Sequence, residues 1–271
     1  MATVYIAPTA QGSANGTSEA NAYAYSSLNS AESDAGNGGT ILFLDGTYNV
    51  GNASWDTGGL ADMTYKSLND HGAYLVSTDY ITCGSATTDT VKVEGFASAN
   101  LTYILDHSWS GSTVTTLNNI KHIDTISSTH NNVGVLYGNG SGSAHLLTNS
   151  IFVVDYSGST LIFGNSLGPA KVDNCSFFIK CTSVGANGIT SGTTPTTIKN
   201  TIFASDTASA IGSSAIDTSN CTNCCIHQMN STSHTSGGTD NVFADPQFVD
   251  ASNGDLRLRP SSPCISAGTA S

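Results

Sequence analysis

Four stretches of this chain share one alternation of apolar and polar positions. They are LLTNSIFVVDYSG from Leu146, KVDNCSFFIKCTS from Lys171, TIKNTIFASDTAS from Thr197 and NCTNCCIHQMNST from Asn220. Each holds an asparagine, Asn149, Asn174, Asn200 or Asn223, followed three residues later by Phe or Ile. These asparagines stand 25, 26 and 23 residues apart. A fainter copy, TTLNNIKHIDTIS, puts Asn118 in the same role. Counted from the Asn, the positions two before and one, three and five after are mostly small or apolar. That period of two marks a strand with one buried face. Phe152, Phe177 and Phe203 share the third position, which predicts a phenyl stack inside the fold beside a ladder of Asn149, Asn174, Asn200 and Asn223. In the fainter copy, the same count puts Lys121 on the inner face and Ile120, His122 and Asp124 on the outer one.

A repeat of about 25 residues, with short strands and no helical period, fits a solenoid of stacked β coils. Asn at the bend tolerates left-handed backbone, and its amide can bond to the turns above and below. Earlier segments, TILFLDGTY, MTYKSLND, VKVEGF and LTYILDHS, read as strands bounded by Gly, Asn and Asp. About eight coils are expected in one structural domain.

Both ends carry a more specific likeness. The start, VYIAPTAQGSANGTSEANAYAYSSLNSA followed by GGTILFLDGTY, resembles the opening of right-handed parallel β-helix proteins of the pectate-lyase-like superfamily, with a first coil ending in Gly46-Thr47-Tyr48. The ending resembles the last coil of many such proteins. It holds Asp245-Pro246, Phe248-Val249-Asp250, Gly254-Asp255, Arg257-Leu258, Ser262-Pro263 and Ala267-Gly268. The resemblance implies an all-β, single-stranded right-handed parallel β-helix. A cap with a short helix and first coil would fill 1–48, the coils 49–243, and a capping coil 244–271. Pro246, Pro260 and Pro263 would stop further strand pairing there.

Composition narrows the function. Of 271 residues only 10% are charged, the net charge is −12, and no Lys/Arg cluster occurs. Nucleic acid is therefore excluded as an expected partner. No apolar run approaches a membrane span, and MATVYIAPTA lacks the basic start and long apolar core of a leader.

Chemistry could reside on the outer face of the repeat. Asp124, Asp155, Lys180 and Asp206 share the sixth position after the Asn. Asp155 and Asp206, two turns apart, would be separated by about 9–10 Å, near the upper end of the spacing in inverting glycosidases. A solvated charged rim explains the same row. The lyase activity implied by the family would need Ca2+ and a basic residue, and Lys121 and Lys180 are the central candidates. Cys221, Cys224, Cys225, His227 and His234 invite a zinc reading. The register, however, puts Cys221 and Cys224 inside, so core cysteines and no metal are expected. Asp106-His107 and His122/Asp124 could form acid–base pairs, but no nucleophile motif accompanies them.

Ile120, Ile151, Val153, Phe178 and Ile202 form an apolar stripe on the outer face. Such a stripe usually marks an interface, and lengthwise packing into a homotrimer is expected. The expectation is thus a non-enzymatic virion or extracellular-surface protein, such as a phage decoration, fibre or spike component. It would bind itself and other virion proteins, with polysaccharide as a further ligand. The alternative is a polysaccharide lyase or glycoside hydrolase.

Overall fold

A computed structural model describes residues 2–51, 53–55, 59–77, 80–83, 90–99, 103–107, 114–123, 132–138, 144–156, 160–163, 170–181, 197–206, 218–228 and 238–269. The chain is a parallel β-helix. Three sheets run along it, and each turn contributes one strand to a sheet. The first sheet has ten strands, the second eight and the third five. Pairing within all three is parallel and joins each strand to its counterpart one turn away. Five turns, from Thr40–Phe43 to Thr160–Phe163, carry all three sides among the described residues, against about eight expected. The turns from Ala170 onward carry two.

The bend between the first and second sheets is built by the asparagines. Asn119, Asn149, Asn174, Asn200 and Asn223 have φ between 48° and 56°, a left-handed backbone that Asn adopts more cheaply than most residues. Their amides tie successive turns. Asn174 Nδ2 donates to Asn149 Oδ1 at 2.7 Å, and Asn149 Nδ2 donates to Asn118 Oδ1 at 2.9 Å. The ladder then changes partners, because Asn200 Nδ2 reaches Asp173 Oδ1 at 3.0 Å.

Immediately after the bend, Ile120, Ser150, Cys175, Thr201 and Cys224 turn inward and are buried. The polar members of this column donate to the carbonyl two residues back. Ser150 Oγ bonds Thr148 O at 2.7 Å, Thr201 Oγ1 bonds Lys199 O at 2.7 Å, and Cys175 Sγ contacts Asp173 O at 3.3 Å. Cysteine thus stands where a hydroxyl stands in neighbouring turns. Burial pushes the Cys175 thiol up to about 12.

One inward column runs along the second sheet: Tyr48, Leu75, Ser98, His122, Phe152, Phe177, Phe203 and Ile226 are in register turn by turn. The rings of Phe152 and Phe177 stack at 5.0 Å, and those of Phe177 and Phe203 at 4.8 Å. Toward the N-terminal end, Phe43, Tyr48, Trp55, Tyr65 and Phe96 continue the core, with Trp55 stacked on Tyr65 at 4.7 Å. The helix Leu28–Ala35 packs there through Leu28, Ala31 and Ala35. Its buried Glu32 accepts a 2.7 Å bond from the Tyr65 hydroxyl.

The frame of the fainter copy needs correction. Asn119, not Asn118, holds the left-handed bend. Lys121 pairs with Ile151, and His122 pairs with Phe152. Lys121 is therefore outward, while Ile120 and His122 are buried. A slip of one residue reverses both faces of a strand. Ile120 belongs to the core and not to the outer stripe. His122 Nδ1 lies 2.9 Å from Ser98 Oγ, a buried polar rung beside the phenyl stack.

The tail also differs from expectation. Its strands Phe248–Asp250 and Asp255–Leu258 form an antiparallel hairpin and add no further parallel turn. The hairpin lies on the outer face of the second sheet. The last parallel pairing comes earlier, where Thr239 and Val242 bridge to Thr222 and Cys225 and Phe243 packs against the main core.

Candidate functional site

Among the described residues, Asp106 and His107 lie on the third sheet, in the strand Tyr103–His107, whereas the outer face of the second sheet carries Lys121, Ile151, Val153, Phe178, Lys180 and Ile202. Two and four residues after each Asn, its side chains point away from the core. Val153 and Ala204 are nevertheless buried, in a second apolar cluster with Phe248 and Leu256 of the tail. Ile123, Ile151, Phe178 and Ile202 pack around that cluster. The Phe178 and Phe248 rings meet edge to face at 6.3 Å. The chain's own C-terminal segment thus packs on the stripe expected to bind a second copy, burying Val153 and leaving Ile151, Phe178 and Ile202 partly exposed. That segment carries apolar residues spaced to meet successive turns, and burying them needs no partner chain.

Polar contacts hold this strap in place. Asn223 Nδ2 reaches Ala267 O at 3.4 Å, and Thr269 N donates to Asn200 Oδ1 at 3.0 Å. Ser262, itself buried, donates to Pro246 O at 2.6 Å, and Arg259 Nη2 donates to Val249 O at 3.0 Å. The hairpin end carries an Arg257–Asp255 pair at 2.6 Å, with the arginine exposed and the aspartate partly buried. Arg257 holds the Asp255 carboxyl down at about 2.

Two clefts open beside the strap. One, of about 450 Å³, lies over the asparagine bends and includes Asn174, Asn200, Cys225, Leu258 and Cys264. The other, of about 430 Å³, is lined by Phe178, His227, Asp245, Gln247, Phe248 and Arg259. It joins two aromatic rings to a carboxylate, a guanidinium and an amide, the mixture that suits a polar ligand with an apolar face. This second cleft was not foreseen, because half of it comes from the tail. The composition of the tail, with both arginines of the chain, was the available signal.

The charged row lies further along the same strands. Asp155 and Lys180 are in register on adjacent turns. Asp206 follows one turn on, where its N–H donates to Ile179 O at 3.2 Å. The backbone therefore places Asp155, Lys180 and Asp206 in one line with the cation in the middle. Asp124 lies outside the described residues, as does His234.

The cysteines of CTNCC divide between two faces. Cys221 and Cys224 are sealed in the core, while Cys225 points outward under the tail and His227 is half-buried beyond it. A strand wall separates the CxxC pair from Cys225 and His227, so these four residues do not converge on one ion. Among the described residues no group of three or more His, Cys, Asp or Glu converges in a metal-holding arrangement. No helix among them is long and apolar enough to cross a membrane.

No family model and no curated protein matches the chain. Among solved structures it is similar to a crystal structure of pectate lyase Pel9A, with 13% identity and a TM-score of 0.48, covering 100% of this chain and 92% of that one.

Proposed function

We propose that this protein is a non-enzymatic structural β-helix of a virion or other extracellular surface, a decoration, fibre or spike element with glycan binding as an added capacity. The observation behind this reading is the tail. It occupies the outer columns of the second sheet, where a polymer would otherwise lie across several turns, and ties them into one closed flank. A rod closed along its side suits a scaffold better than an open substrate groove. The cleft with Phe178, Phe248, Asp245 and Arg259 is where a sugar ring would bind, stacked on an aromatic face with hydrogen bonds at its edge.

The second reading, polysaccharide hydrolysis or lyase action with Ca2+, is favoured by the line Asp155, Lys180, Asp206. Lys180 between the two aspartates equally makes that line a charge-compensated rim. A homotrimer contact through Ile151, Val153, Phe178 and Ile202 would have to form around the tail that packs on them.

A polysaccharide panel tests the choice. Neutral, acidic and amino polymers are assayed for new reducing ends and for unsaturated uronate, with and without calcium, alongside binding by calorimetry. Binding without turnover, weakened by Arg259→Ala, is the expected result. Turnover that disappears in Asp155→Asn or Asp206→Asn would replace the structural reading with the enzymatic one.

A further inference from the structure

Two thiols meet where the tail returns to the solenoid. Cys225 opens the strand Cys225–His227, in the outward column two residues after Asn223, and is 3% exposed beneath the tail. Cys264 belongs to the tail itself and is half-buried. Each thiol perturbs the other's titration, which places them as close neighbours. Both line the cleft of about 450 Å³ beside the strap.

We infer that Cys225 and Cys264 form a redox staple, an intrachain disulfide that locks the C-terminal strap onto the flank of the β-helix. This inference does not depend on the proposed function.

The backbone on both sides is already held. Cys225 Sγ contacts Ala244 O at 3.3 Å, just before the tail begins. Cys264 N donates to Ser262 Oγ at 3.1 Å, and the Ala267 carbonyl is reached by Asn223 Nδ2. Neither sulfur therefore has to travel with a free segment to find the other. The second pair, Cys221 and Cys224, also interacts, but both are 1% exposed or less and face the core. Cys175 is shut in the same core. Among the free cysteines described, Cys264 is the one that is not fully buried.

A low-molecular-weight disulfide, oxidised glutathione, supplies the electron acceptor. The Cys264 thiolate attacks one sulfur of glutathione disulfide. The bond between the two glutathione sulfurs breaks, and the first glutathione thiolate leaves and takes up a proton. Deprotonated Cys225 then attacks the Cys264 sulfur of the mixed disulfide and expels the second glutathione, which is protonated in turn. Two protein thiols lose two protons and two electrons, and one glutathione disulfide becomes two thiols. The order of attack follows from the pairing of the two thiols: Cys225 lowers the Cys264 thiol from its ordinary value, and Cys264 with burial raises that of Cys225. The more ionised sulfur is also the one solvent reaches.

The closed ring would span residues 225 to 264, and leaving the flank would then require breaking a covalent bond. The full chain is incubated with oxidised glutathione, quenched by alkylation and digested without reduction. The expected product is a mass loss of two hydrogens with one cross-linked peptide joining Cys225 to Cys264. Protease cutting within the tail should slow about tenfold or more relative to the dithiol-reduced protein. Cys264→Ser should abolish both effects while retaining cooperative melting. A chain that stays fully reduced, a cross-link between any other two cysteines, or tail protection that persists in Cys264→Ser overturns the inference. The cross-linked peptide from the unmutated protein decides the matter even if the variant does not fold.

Discussion

Gly254 lies directly on Ile123: a Cβ built on the glycine would come within 2.5 Å of the isoleucine Cδ1. The contact marks how far back the tail reaches, to the turn that also holds His122. Gly254 has φ of +84°, a left-handed backbone that disfavours any side chain. Gly254→Ala thus meets both strain and collision. The strain alone should weaken the tail hairpin by about 1–2 kcal/mol. Protease cutting within 244–269 should accelerate while the solenoid still melts cooperatively, and an unchanged cutting rate would contradict this packing.

Phe177 is flanked on both sides by phenyl rings, at 5.0 and 4.8 Å. Phe177→Ala leaves a gap that two stacked neighbours in a rigid ladder are poorly placed to close. Urea unfolding should show a loss of about 3–5 kcal/mol. The adjacent Phe178 faces the tail and is only partly buried, so Phe178→Ala should cost less. The reverse ranking would mean that the inward and outward columns had been exchanged.

Asn174 combines φ of +53° with an amide bond to Asn149. Asn174→Gly keeps the backbone freedom and loses the amide, whereas Asn174→Ala loses both. The alanine variant should be the less stable by about 1 kcal/mol, read from denaturant midpoints. Equal stability would show that the left-handed bend matters less than the amide.

Asp255 supplies a pH dependence. Its carboxyl is held at about 2 by Arg257, below the ordinary carboxylate range. A lowered folded-state value means that its contribution is present above about pH 4 and is lost as the pH falls toward 2. Arg257 is exposed and Asp255 partly so, so the change should be local and sensitive to salt. Hydrogen exchange across Phe248–Leu258 should rise between pH 4 and 2 after correction for the intrinsic rate. An identical rise in Asp255→Asn would assign the effect to another group.

Local pattern determined much of this molecule. Period-two alternation after Asn149, Asn174, Asn200 and Asn223 assigned inward and outward faces, because a strand has two faces and the core accepts apolar side chains. The same frame put Cys221 and Cys224 inside, as the structure does. Where two asparagines stand together, at Asn118-Asn119, pattern allowed two frames. A lysine in the phenyl column was the sign that the frame starting at Asn118 was off by one. Tertiary structure alone decided where the tail goes. Phe248, Leu256 and Leu258 require apolar surface to cover, and hydrophobic burial carries no direction that a sequence could announce. A second copy of the chain and its own flank satisfy that requirement equally in a sequence pattern. The fold selects the flank, because the end of the last turn leaves the tail beside Val153, Phe178 and Ala204 with its hydrogen-bonding partners already in reach.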